Sequence, residues 1–183
     1  PGGALREVQG IWAEEIDTLY EDDRNTVIPE PGNPLGLIGP YEARDYCDLV
    51  HSEDAEVLAT YGQDFYAGRP ALTVNSYGEG RAYTITSNNE DAFLRDFYGA
   101  LDADLNLKHA LDANLPHGVT AQLRRDDERT FIFLMNFSDG PATVELGDAA
   151  YTDLLTGAEL DGPVALSGYD VKVLTKNKER DES

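Results

Sequence analysis

Residues 71–86 read Ala-Leu-Thr-Val-Asn-Ser-Tyr-Gly-Glu-Gly-Arg-Ala-Tyr-Thr-Ile-Thr. Two runs of strand-forming residues flank Gly78-Glu79-Gly80, and a short glycine-bearing connection between such runs marks a β-hairpin. Immediately downstream, Ser87-Asn88-Asn89-Glu90 has the Ser-x-x-Glu form of a capping box. Phe93, Phe97, Leu101 and Leu105 follow at every fourth position, which predicts a helix over about 89–105. Upstream, Tyr41–Val50 and Ala55–Tyr61 read as strands. The stretch Glu21–Pro40 holds four of the nine prolines and reads as a long surface loop.

Working outward, Leu5, Val8, Trp12, Ile16 and Leu19 recur at steps of three and four, with Glu7, Glu14 and Asp17 between them. That spacing predicts an amphipathic helix over 4–20. A helix entered so soon, after Pro1-Gly2-Gly3, suggests a chain cut from something longer. In the other direction the periodicity fades between Asn106 and Gly118, where Pro116 and Gly118 predict a domain boundary. Beyond it, Val119-x-Ala121-x-Leu123, Thr130–Phe137, Thr143–Leu146, Tyr151–Leu155, Val164–Leu166 and Tyr169–Leu174 are short strand-like runs separated by glycine-bearing turns. They predict a small antiparallel sandwich or barrel over 116–176, with 177–183 as a charged tail.

Charge narrows the range of partners. The 183 residues carry 35 Asp and Glu against 14 Lys and Arg, a formal net charge of −21. Nucleic acid is excluded as a partner on this ground, because phosphate binding needs basic surface. No apolar run approaches the ~18 residues of a membrane span, so no membrane partner is expected. A single cysteine, Cys47, leaves no internal disulfide and suits a reducing cytoplasm. Only four residues are Lys, and such repulsion would be screened over about 3 Å in molar salt rather than ~8 Å, so a salt-loaded, halophilic source is expected.

Several blocks in order resemble the end of glycoside hydrolase family 42 β-galactosidases. They are Pro1-Gly2-Gly3-Ala4-Leu5-Arg6-Glu7, Gly10-Ile11-Trp12-Ala13-Glu14-Glu15, Glu42–Leu49, Ala55–Tyr61, Asp64-Phe65-Tyr66-Ala67-Gly68-Arg69-Pro70-Ala71 and Tyr77–Tyr83. The resemblance implies that residues 1–110 are the later part of an α/β, flavodoxin- or amidotransferase-like trimerisation domain, and 116–176 a C-terminal β domain. It also implies a homotrimer in the full-length protein. The two glutamates of the retaining reaction would lie in a barrel outside this chain. An α/β domain without its first half would leave a sheet edge or face uncovered.

No catalytic, cofactor or metal residue is therefore expected here. The pairs Glu14-Glu15 and Asp22-Asp23 read as solvated charge. Tyr46-Cys47-Asp48 lacks the glycine-flanked elbow of a nucleophile, so Cys47 with His51 is not expected to catalyse. His51, His109 and His117 show no metal-ligand spacing. The residues assigned to a subunit interface are Trp12, Phe65, Tyr66 and Arg69. Exposed-looking aromatics such as Tyr151 and Tyr169 keep a sugar-binding β module open as an alternative.

Overall fold

In the computed structural model, residues 5–147 and 149–176 are described; the charged tail assigned to 177–183 and the opening Pro1-Gly2-Gly3 lie outside them. The chain divides into two units, Pro1–Leu107 and Lys108–Ser183.

The first unit is built almost wholly from antiparallel strands. After a single helical turn, α1 (Arg6–Gln9), come β1 (Ile11–Thr18), β2 (Asn25–Pro29), β3 (Tyr41–Ser52), β4 (Glu56–Tyr61), β5 (Pro70–Tyr77), β6 (Gly80–Ile85) and β7 (Ser87–Asn89), then α2 (Asp91–Leu105). The strands lie in the order β1-β3-β2-β4-β5-β6, and β7 returns to pair with β3. Because β6 and β7 are separated only by Thr86, the circuit β3, β2, β4, β5, β6–β7 closes on itself as a five-membered antiparallel barrel, with β1 paired outside it to β3.

Thr86 is the seam of that closure. Its N–H donates to the Ala71 carbonyl at 3.1 Å, and its own carbonyl accepts from the Asp48 N–H at 2.7 Å. The Tyr61 hydroxyl, on a side chain 1% exposed, donates to the same carbonyl at 2.7 Å. Burial pushes that phenol well above its ordinary range. A second buried brace is Asn25, whose side chain binds the Gln63 carbonyl and the Thr26 and Gln63 amides. Each of these groups would cost free energy if left unpaired. Over one side lies α2, which buries Phe93 and Phe97 against Tyr41 and Tyr83. The Tyr41 hydroxyl also donates to Asp96 at 2.8 Å.

This corrects four expectations. Every pairing in the first unit is antiparallel, whereas a flavodoxin- or amidotransferase-like α/β domain needs parallel strands joined by crossover helices. The unit is a β structure carrying one substantial helix. The helix expected over 4–20 stops at Gly10, which takes φ 63° and caps α1 with its N–H on the Arg6 carbonyl. The chain then runs extended, since Ile, Trp and Thr suit a pleated strand. The loop expected over 21–40 contains β2, a strand inside the barrel with Val27 wholly buried. Nor does the capping box form: Ser87 belongs to β7 and bonds Asn89, while Glu90 accepts the Glu42 amide.

The second unit has two sheets. One follows the order β12 (Glu159–Leu160), β11 (Tyr151–Asp153), β14 (Val171–Lys176), β9 (Thr130–Asn136), β8 (Val119–Arg125). The other pairs β10 (Ala142–Glu145) with β13 (Pro163–Leu166). Alternate residues Ile132, Leu134 and Leu174 from the large sheet pack with Val144, Val164 and Leu166 from the small one. Tyr151 is part of this core at 7% exposure, so it is not the surface aromatic that the sequence suggested. Tyr169, by contrast, is 71% exposed.

Candidate subunit interface

Strand β1 has one paired edge, on β3, and an open one among the described residues. Its register sets Trp12 opposite His51, Ile16 opposite Asp48 and Asp17 opposite Cys47, with a bulge between Ala13 and Glu15. In an antiparallel pair, opposed residues share a face. Trp12 and His51 accordingly stack, with ring centroids 4.8 Å apart and planes at 26°. The bulge turns Glu14 toward the same place, where its Oε2 accepts from Arg69 Nη1 at 2.7 Å and lies 2.6 Å from His51 Nε2. These hydrogen bonds, from Arg69 first and His51 second, hold the Glu14 carboxyl below the usual carboxylate range.

Arg69 comes from the connection between β4 and β5, which crosses over β1. The Tyr66 hydroxyl donates to Asp17 at 2.9 Å, and the Tyr66 ring, wholly buried, meets Tyr61 and Phe65 edge to face. Asp64 at φ 68° turns the chain so that Phe65 projects outward, 73% exposed. On β1, Ile16 is also 65% exposed. Opposite it, Asp48 buries its Oδ1 with no hydrogen-bond partner among the described residues, and burial raises its carboxyl.

The four residues singled out from sequence thus belong to one neighbourhood, in different capacities. Trp12 and Arg69 flank the Glu14–His51 contact, Phe65 is the projecting ring, and Tyr66 is the buried anchor that holds the connection down. Glu14, Asp17 and His51 were missed, since only the β1–β3 register and its bulge bring them in. Cys47 lies fully buried beneath, its thiol raised by burial, and His51 is engaged with Glu14 and Trp12. No three His, Cys, Asp or Glu side chains converge as metal ligands among the described residues, and no described helix is long and apolar enough to cross a membrane.

Comparison with known families resolves what these units are. Residues 1–108 match the model of the β-galactosidase trimerisation domain, and residues 118–176 match that of the β-galactosidase C-terminal domain. The chain belongs to the glycoside hydrolase family 42 β-galactosidases. β-Galactosidase Pbg from Clostridium perfringens is 49% identical over 174 residues, which is 95% of this chain and 25% of that protein. β-Galactosidase BglY from Alicyclobacillus acidocaldarius is 46% identical over the same shares. The crystal structure of a cold-adapted β-galactosidase from Rahnella sp. R3 superposes with a TM-score of 0.83 at 45% identity, covering 96% of this chain and 25% of that one. The chain therefore spans about a quarter of the length of these family 42 relatives and corresponds to their trimerisation and C-terminal regions.

Proposed function

We propose that this chain is the oligomerisation and support region of a β-galactosidase that cleaves terminal β-galactosides with retention, the reaction itself belonging to a catalytic region beyond these residues. The observation that carries the reading is the match of residues 1–108 to a trimerisation domain, in a unit whose edge strand sets Trp12 beside a fixed Glu14–His51–Arg69 group and leaves Ile16 exposed on its other face, while Phe65 projects from the connection that carries Arg69. Large aromatics and Arg in a rigid setting are what subunit contacts favour. In this reading Trp12, Phe65 and Arg69 contact the neighbouring copy and Tyr66 holds them in place.

The reading places the protein in a cytoplasm, where buried, unpaired Cys47 stays reduced, and in a salt-rich one, where a net charge of −21 is screened. Light scattering on the purified chain tests the assembly. The expected mass is about three times 20.1 kDa, reduced to one chain by Ile16→Asp with Phe65→Asp, and a monomeric wild type at high concentration would overturn the proposal. Incubation with an aryl β-galactoside tests the division of labour. Turnover by these 183 residues alone would show that the catalytic groups are not elsewhere.

A further inference from the structure

His51 is the only histidine in residues 1–107, and histidine is the residue type whose charge ordinarily changes between about pH 5 and 8. Side chains from two other segments meet its ring. Trp12 on β1 stacks against it at 4.8 Å, and Glu14 Oε2, on the β1 bulge, lies 2.6 Å from Nε2. Arg69 Nη1, at the end of the 62–69 connection, lies 3.4 Å from the same nitrogen and donates to the same Glu14 oxygen at 2.7 Å. A carboxylate offers no donor, so at 2.6 Å the proton sits on Nε2. Two nitrogen donors therefore stand side by side and compete for one oxygen. One of them is a guanidinium, charged at every working pH; the other is an imidazole that gains its charge in acid.

We infer that Glu14, His51 and Arg69 form a proton-operated latch: when His51 takes up its second proton it keeps Glu14, and Arg69 lets go, freeing the end of the 62–69 connection from edge strand β1. The surroundings decide which cation leaves. A protonated His51 retains the Trp12 face, where a cation is favoured over a neutral ring. The β1–β3 register also fixes it opposite Trp12. Arg69 has Glu14 as its one ion-pair partner among the described residues, and a new positive charge 3.4 Å away repels it.

The neighbouring titratable groups are engaged elsewhere. Asp17 on β1 accepts from the Tyr66 hydroxyl, Glu53 after β3 binds Arg6 of α1, and Asp64 of the connection holds the Phe65 amide. Glu15 opposes Leu49 and is exposed, Asp48 opposes Ile16 on the other face of β3, and Cys47 is fully buried. Release is confined to the end of the connection, because Tyr66 stays wholly buried. The amides that would loosen are Gly68, bonded to the Tyr61 carbonyl at 2.7 Å, and Arg69, bonded to the Tyr66 carbonyl at 3.0 Å. Arg69 is also one of the residues assigned to the subunit contact, so acid would transfer it from its own Glu14 to a neighbouring copy; that consequence alone rests on the function proposed above.

The test follows the full 183-residue chain from about pH 8 to about pH 5.5, across the histidine range. Two signals are read: Trp12 emission, and amide exchange corrected for the intrinsic effect of pH. Trp12 is the only tryptophan, so its emission reports the stack with His51 directly. A charged imidazole quenches an indole it touches, and emission should fall as the pH drops. Over the same range exchange at Gly68 and Arg69 should rise roughly threefold, the scale of an exposed charge pair. His51→Gln keeps a donor for Glu14 but takes no charge, and it should abolish both changes with Gly68 and Arg69 protected throughout. Glu14→Gln removes the shared anion and should leave those amides fast at both ends of the range. Emission that does not respond to pH overturns the latch, as does an exchange profile that is flat or that persists in His51→Gln. Light scattering on the same samples separates the two readings: a chain monomeric at every pH overturns the subunit contact, not the latch.

Discussion

The first unit closes its strands around a polar seam, where Thr86, Tyr61 and the Asp48 and Ala71 backbones meet, whereas the second presses two sheets together over Leu134, Leu166, Leu174 and Val144, all wholly buried. Their surfaces differ as well. Residues 1–107 carry 21 Asp and Glu against six Arg and no Lys, a formal −15; residues 108–183 carry 14 against eight, −6. A barrel built from bent and bulged strands cannot satisfy every backbone group by ladder pairing, so buried Asn and Tyr side chains complete it. A pair of facing sheets has no such seam and relies on apolar area. The two units should therefore fail under different challenges.

The largest effect is expected from the apolar unit. Leu134→Ala removes a fully buried side chain between the two sheets and should cost about 3 kcal/mol, lowering the melting of the second unit on the order of 15 °C. Calorimetry on the whole chain would show one transition moving and the other fixed. If both move together, the units are coupled and the comparison fails. Next comes Tyr61→Phe, which keeps the ring and deletes the hydroxyl on the Thr86 carbonyl. It should destabilise the first unit by roughly 1–2 kcal/mol, and amide exchange should rise first at Asp48 and Thr86, whose N–H groups close the seam. Exchange that rises evenly through the unit would remove Thr86 from that role.

The same contrast governs what could be read in advance. The hairpin at 71–86 and the apolar run at 130–137 were legible because turn chemistry and strand propensity agree there. The stretch 4–20 was not, because Leu5, Val8, Trp12 and Ile16 fall at helical spacing by coincidence. The deciding residue is Gly10, where an added Cβ would stand 2.7 Å from the Asn75 side chain and 2.9 Å from the Ala55 backbone nitrogen. Only glycine allows that approach and the left-handed turn with it. Strand β2 was hidden by the prolines that follow it, and its own single proline, Pro29, sits at its end, where a missing N–H is tolerated. At the candidate interface the aromatics stood out in the sequence, whereas Glu14, Asp17 and His51 depend on a bulge and a register that no local pattern encodes.

The two units should also respond differently to salt. Like-charge repulsion is screened as salt rises, so the melting temperature of the −15 unit should climb more steeply with salt than that of the −6 unit. Equal slopes, or a fall, would remove both the electrostatic contrast and the case for a salt-loaded cytoplasm.

The smallest effect concerns acid. In the second unit Asp153, 1% exposed, accepts from the Thr156 hydroxyl at 2.8 Å and the Leu155 and Val173 amides at 3.1 and 3.4 Å. Burial alone would raise its carboxyl, but these hydrogen bonds and Lys172 outweigh it and hold the group below the usual carboxylate range. A folded-state value below the unfolded one means stabilisation that is complete above the ordinary carboxylate range and is lost as pH falls through the depressed value. The second unit should therefore lose stability on that acid limb, and Asp153→Asn, which retains an acceptor for the amides but does not titrate, should flatten it. A limb unchanged by Asp153→Asn would assign the acid sensitivity to other carboxylates and leave Asp153 as a turn brace alone.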